Sequence, residues 1–417
     1  MTQTSLKSHA AKSAPNQQSD ELTSCLSRNF HPATSDYFPG RIAILSTYPP
    51  TECGIATFAR SLAEALKVNG ARVDILQIAD SVTSSSNSQV VAQHRGKSDI
   101  SKTAQILNAY DQVLIQHEFG IFDGPDGDEI FELLDALQVP VAVVLHTVLT
   151  EPSLRQRAIL NYICDKAAAV ITMTQAGRAK LIANYDVAVS NVHVIGHGAR
   201  AISDSSSLAA RENARPRILT WGLIGPGKGI EWAIDAVAAL QDLDSPPEYV
   251  IAGQTHPHVK HRDGESYRDG LKASINQYGI ADSVNFIDHY LTDSELDELI
   301  TSADVVLLPY DSVEQVTSGV LVEALVAGVP IVATNFPHAR EVLSDNSGIL
   351  VKQRDALGIA LAIRAILTSK NRADAMRHRL NRKSNAYLWP AIGKKYLEVL
   401  NSLQRESSSV PSDSLVG

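Results

Sequence analysis

Two doubly wound α/β domains facing each other across a cleft are the fold this sequence predicts, and three observations predict it. Short apolar runs alternate with helical stretches from about residue 39 to residue 388. The runs are continuous, the pattern of parallel strands covered on both faces. They fall into two series separated by a polar, serine-rich stretch, ARAISDSSSLAARENARP at 199–216. A length of 417 residues suits two domains at roughly 100–200 residues each.

The elements follow in order. Residues 1–38 are rich in Ser, Thr, Gln and Ala without sustained periodicity, and read as a disordered leader. The first domain, 39–198, carries strands predicted at Arg41–Ser46, Val73–Ile78, Val113–Gln116, Val141–His146, Val170–Thr174 and Val192–Ile195. After the first of these, Phe58, Leu62 and Leu66 repeat every four residues, one stripe of a helix. Residues 199–216 form the linker. The second domain, 217–388, carries strands predicted at Arg217–Trp221, Tyr249–Ala252, Val284–Ile287, Val305–Leu308, Ile331–Ala333 and Gly348–Val351. A last helical segment starts near Leu357 and breaks at Trp389-Pro390. Residues 389–404 then form a final helix and 405–417 a polar tail. Sheets of this kind bind ligands outside the carboxyl ends of their strands, which places the chemistry in the cleft.

Composition removes several function classes. A hydrophobic content of 44% is ample for two cores, and a net charge of -9 argues against non-specific nucleic-acid binding. It leaves room for peripheral contact with a lipid surface. The three cysteines, Cys25, Cys53 and Cys164, are scattered and odd in number, so no disulfide framework or metal spacing is visible and a reducing cytoplasm is expected. The most apolar run, Val139–Leu149, contains His146 and falls far short of the roughly 20 residues a membrane span needs. The start of the chain lacks the apolar core of a signal peptide.

Four segments can carry chemistry. Trp221-Gly222-Leu223-Ile224-Gly225-Pro226-Gly227-Lys228-Gly229 follows a strand and opens a helix. Its glycines let backbone N–H groups approach an anion, and Lys228 adds a point charge. The spacing nearly matches a P-loop, but Gly229 stands where Ser or Thr would hold magnesium; the plain alternative is a tight turn with a solvated lysine. In Thr317-Ser318-Gly319-Val320-Leu321-Val322-Glu323, Thr317 or Ser318 caps a helix whose open N–H groups suit a diphosphate. Glu323 lies four residues after Gly319, on one face, where a carboxylate can accept hydrogen bonds from ribose hydroxyls. An ordinary capped core helix is the alternative. The loop Tyr48–Phe58 contains Glu52 and Gly54, and Gly54 permits close backbone approach to a ligand; a plain loop is again the alternative. His117 and His146 end equivalent strands, which turns a pair of otherwise structural histidines towards the ligand crevice. No Asp-x-Asp signature stands at a strand end. Asp126 and Asp128 flank Gly127 in a loop and do not make a metal site, and Asp123 and Glu129 read as solvated loop charge, so no metal ligand is predicted.

With these segments in place the chain resembles the retaining GT-B glycosyltransferases of the family-4 type, over residues 40 to 404 and closest to the bacterial mannosyltransferase-like branch. The segments that carry the resemblance are YPPTECGIATFARSL, QHEFGIF, LHTVLTEPSLRQR, WGLIGPGKGIEWAI, AGQTHPHV, LLPYDSVEQVTSGVLVEALVAGVPIVAT and FPHAREVL. The resemblance implies the GT-B fold, with two Rossmann-like domains. It implies metal-independent transfer of a hexosyl group, mannosyl from GDP-mannose on branch resemblance alone, to a carbohydrate or glycolipid acceptor. No cofactor is implied beyond the nucleotide sugar, and the location implied is cytoplasmic. His146 resembles the histidine that contacts the donor sugar, and Lys228 the phosphate-binding lysine; both are the expected catalytic residues. Gly54, Gln315, Thr317, Ser318, Gly319, Val320 and Glu323 fall on the donor side, with Glu323 on the ribose. Glu52 and His117 fall on the acceptor side. The final helix resembles the segment that crosses back to the first domain.

Two positions depart from the family pattern. Leu223 stands where an Arg usually follows the first glycine of the phosphate turn. Gln315 stands where the usual pair of glutamates, eight apart, would have its first member. Three other readings therefore stay open: nucleotide-sugar binding without transfer, an epimerase, or a phosphorylase on the same fold.

Overall fold

The computed structural model describes residues 40–79, 88–202, 215–312 and 316–408. The leader, most of the linker, Gln315 and the end of the tail lie outside these residues. The first half of the described chain runs β1 (Arg41–Ser46), α1 (Gly54–Val68), β2 (Arg72–Ile78), β3 (Val90–His94), α2 (Ile100–Leu107), β4 (Gln112–His117), α3 (Ile130–Ala136), β5 (Val141–Leu145), α4 (Leu154–Lys166), β6 (Ala169–Thr172), α5 (Gln175–Asn184) and β7 (Val192–Val194). The second half runs β8 (Arg217–Trp221), α6 (Ile230–Ala238), β9 (Glu248–Ala252), α7 (Pro257–Asp263), α8 (Ser266–Tyr278), β10 (Val284–Ile287), α9 (Asp293–Thr301), β11 (Val305–Leu308), α10 (Gly319–Val326), β12 (Ile331–Thr334), α11 (Pro337–Leu343), β13 (Gly348–Val351), α12 (Ala356–Leu367), α13 (Lys370–Ser384) and α14 (Trp389–Ser408).

The strands build two parallel sheets, ordered β3-β2-β1-β4-β5-β6-β7 and β10-β9-β8-β11-β12-β13. Each order reverses at its first strand, between β1 and β4 and between β8 and β11. Those reversals are the switch points of a doubly wound sheet, where a crevice opens at the strand carboxyl ends. Both faces of both sheets are covered by apolar side chains, which is why the strands read as continuous apolar runs. The sequence reading missed β3, whose pattern VVAQH sits at the sheet edge with exposed Val91.

The helical stripe Phe58, Leu62 and Leu66 is buried on one face of the first sheet. Trp389, Ile392, Tyr396 and Leu400 of α14 complete that same core. The chain thus leaves the second lobe and returns to the first. A parallel bridge between Ala199 and Leu388 marks where both crossings pass. No helix among the described residues is long and apolar enough to cross a membrane.

Candidate active site

The glycine turn after β8 bends through left-handed backbone, with φ of 115° at Gly222, 89° at Gly227 and 64° at Gly229. Glycine reaches such angles without steric cost. The turn is tied to the loop after β11: the Gly227 carbonyl accepts from the Asp311 and Ser312 amides at 3.1 and 3.3 Å. Lys228 lies along this seam with Nζ 4.6 Å from the centroid of the Tyr310 ring, a cation–π placement. Leu223, Gly225, Pro226 and Lys228 line a pocket of ≈ 220 Å³ with His256, His258 and Val259.

The amino end of α10 adjoins the turn. A Cβ at Gly222 would sit 3.7 Å from Val320 Cγ2, and Trp221 Nε1 donates to Glu323 Oε2 at 3.0 Å. Ser318 caps the helix, its Oγ accepting from the Leu321 amide at 3.2 Å. The Ser318 amide donates to His338 Nδ1 at 3.0 Å. Among the described residues, no hydrogen bond reaches the amides of Gly319 and Val320. Helix starts leave such donors open, and their dipole favours an anion. Half-buried Thr317 immediately precedes the cap. Burial pushes the Glu323 carboxyl up from its ordinary range, against the Trp221 bond and the Arg200 charge. Arg200 is itself held by Asp297 at 2.6 and 2.7 Å.

The first lobe supplies the opposite wall. Cys53 caps α1, its Sγ accepting from the Ala56 amide at 3.3 Å. Gly54 starts the helix exposed, and a Cβ there would meet no atom within 4 Å. Its space is open. Glu52 accepts from Gln254 Nε2 of the second lobe at 3.0 Å. His146 is half-buried, with Nε2 2.8 Å from Gln116 Oε1 and its ring edge-on to Phe58 at 4.9 Å.

His117 corrects the expectation that paired strand-end histidines share the crevice. It is fully buried, beside Phe119 at 5.2 Å and stacked on Phe122 at 6.0 Å. Neither ring nitrogen has a partner among the described residues. The cause is the strand period of two. On β4, Val113 and Ile115 face one core and Leu114 the other; His117 follows the first pair, while Gln116 follows Leu114 towards His146.

Sequence reasoning missed three residues at this centre. His197, just after β7, packs beside Phe58 at 5.1 Å and Trp389 at 5.5 Å. Its Nδ1 donates to the Gly198 carbonyl at 2.6 Å, and a Cβ on Gly319 would lie 2.8 Å from its Nε2. The strand-end rule applied to His117 and His146 would have found it. His338, within FPHAREVL, supports the α10 cap. Glu118 accepts from Thr147 Oγ1 at 2.5 Å and from the Phe119 amide at 3.1 Å, and burial raises its pKa. Burial also pushes His146 and His338 down to about 3 and His197 to about 4. All three imidazoles are neutral near pH 7, which leaves Lys228 as the cation beside the turn. Among the described residues, no group of three or more His, Cys, Asp or Glu is arranged to hold a metal ion.

Two family models match the chain: Glycosyltransferase Family 4 over residues 53–200 and Glycosyl transferases group 1 over residues 206–386. Glycogen synthase of Mycobacterium tuberculosis is 23% identical over 253 residues, covering 60% of this chain and 57% of the relative. A GDP-mannose-dependent alpha-(1-6)-phosphatidylinositol monomannoside mannosyltransferase of the same organism is 29% identical over 173 residues, covering 40% and 42%. The chain thus spans about half the length of the curated relatives it matches. Among solved structures, Anabaena Alr3699/HepE in complex with UDP and glucose superposes with a TM-score of 0.71 at 18% identity, covering 87% of this chain and 100% of that one. Sucrose-phosphate synthase from Thermosynechococcus elongatus gives 0.69 at 17% identity, covering 88% and 99%.

Proposed function

The chain belongs to the GT-B glycosyltransferases of the family-4 type, and from that premise we propose that it transfers a hexosyl group from a nucleoside diphosphate sugar to a carbohydrate or glycolipid acceptor, with retention and without a metal. A mannosyl group from GDP-mannose is the first choice, supported by the similarity to a GDP-mannose-dependent mannosyltransferase. No other cofactor is required, and the cytoplasm is the proposed setting.

One observation carries the reading: the lysine-bearing turn and the open amides of Gly319 and Val320 adjoin through Gly222 and Val320. When the anomeric C–O bond breaks, its electron pair goes to the diphosphate. Fixed donors and a cation placed where that charge develops lower the barrier. Lys228, Gly319 and Val320 supply these, and Glu323 takes the ribose. His146 lies against the sugar, and Gln315 is proposed to bind a sugar hydroxyl. Glu52 belongs to the acceptor side and Gly54 to the donor side, while His117 is buried beside Phe119 and Phe122. With retention, the acceptor oxygen attacks from the face the diphosphate leaves, and a phosphate oxygen takes its proton.

Incubation with GDP-mannose and UDP-glucose plus acceptor, followed by release of nucleoside diphosphate, tests this. The expected result is turnover that survives EDTA and is lost in Lys228→Ala while the fold persists. Wild-type turnover in that variant would refute the assignment. A second reading, binding without transfer, is favoured by Leu223 in place of the usual Arg. It predicts a ligand-induced thermal shift with no nucleotide released.

A further inference from the structure

His197 stands where a bound diphosphate has to meet it. Its Nδ1–H is committed to the Gly198 carbonyl at 2.6 Å, so in the neutral ring Nε2 carries the lone pair. The Nε2–Cε1 edge lies against Gly319, 2.8 and 2.9 Å from where a Cβ would be. The amides of Gly319 and Val320, which have no partner among the described residues, begin at the same place. A phosphate oxygen accepting from those amides brings negative charge up to a lone pair, which is repulsive unless the nitrogen gains a proton.

We propose that His197 takes up a proton from solvent at Nε2 when the diphosphate of the donor binds, and contacts it as an imidazolium. This rests on the reading of the α10 start as the diphosphate seat. The step is a simple protonation: Nε2 gains H⁺, Nδ1 keeps its own, and no other bond changes. It supplies a second cation beside Lys228 at a site where Leu223 brings none. The other groups facing the ring favour the change only once the anion is present. His146 and His338 approach from β5 and α11, and both are neutral. Phe58 and Trp389 are apolar. Glu323 lies one turn along α10, and Arg200 is paired with Asp297. Without the ligand, burial holds the ring neutral; the anion reverses the balance.

Titration calorimetry with GDP-mannose and UDP-glucose, in two buffers of different ionisation enthalpy, tests the proposal. Both ligands are phosphodiesters with no proton to exchange near neutral pH. The expected result is uptake approaching about one proton per ligand bound, lost in His197→Asn while that variant keeps its melting temperature and weaker binding. Binding with no proton uptake, or equal uptake in His197→Asn, overturns the proposal and leaves the diphosphate seat standing. If neither ligand binds the wild-type protein, the seat itself is wrong and the proposal falls with it.

Discussion

Lys228, Gly319 and His117 each carry a prediction that a single substitution tests. Lys228→Ala should lower kcat by about 100- to 1000-fold, the usual cost of removing one preorganised charge-stabilising group. Its melting temperature should hardly move, because the side chain is half-buried and its mapped partner is a ring face. Gly319→Ala should cost about 1–3 kcal/mol by overpacking, since the new methyl meets His197 Nε2. Urea titration of the single and double variants checks it: His197→Ala should recover part of the loss, as coupled neighbours do. His117→Leu should leave the protein folded and less sensitive to acid, with melting compared at neutral and mildly acidic pH. The lysine and the glycine were legible as a turn and a helix start. His197 was not singled out although it too follows a strand; what the sequence hides is its contact with Gly319, 122 positions away in the chain and near only after folding.

At the scale of elements, α10 is eight residues long and depends on its start. Ser318→Ala should destabilise by about 1 kcal/mol, the ordinary value of an N-cap, read as a lower urea midpoint. It should also weaken nucleotide binding by loosening the two open amides. The parallel strands were legible because burial on both faces leaves continuous apolar runs such as Val141–Leu145. The edge strand β3 was not, since one side of it meets solvent and its pattern is short and mixed. The segment after Leu357 read as one helix with a break near Trp389. It is three, and the break at Thr368–Ser369 went unread because neither Gly nor Pro marks it.

Across the whole molecule, pH enters through histidines held neutral by burial. His117, His146 and His338 sit at about 3 and His197 at about 4, against 6.5 in the unfolded chain. Between those limits the unfolded state binds protons that the native state refuses, so stability rises with pH. It is complete above about pH 6.5 and falls as acid is added, at most about 1.4 kcal/mol per pH unit for each ring. Glu118 and Glu323 act the other way, because burial raises them and their native forms hold protons the unfolded chain gives up. Four rings outweigh two carboxyls, so the melting temperature should begin to fall below about pH 6.5, as calorimetry across pH would show. The lobes are held together by polar contacts on their rims. Arg60 reaches Asp293 at 3.1 Å, Thr57 meets Tyr290 at 3.0 Å, and Glu341 accepts from the Gln175 and Ala176 amides at 3.0 and 2.6 Å. None of these pairings was visible in the sequence, which shows the charges without their distances.

Helix α14 fills the core beneath β1 and α1, yet it is the last described element to be synthesised. On the ribosome, the amino-terminal half emerges with α1 on its sheet but with that core still missing its closing helix. At roughly 5–20 residues per second, Trp389 follows Val194 only after roughly 10–40 s. Nascent chains stalled before Trp389 should therefore be open to protease along β1 and α1, and release of the finished polypeptide should close them.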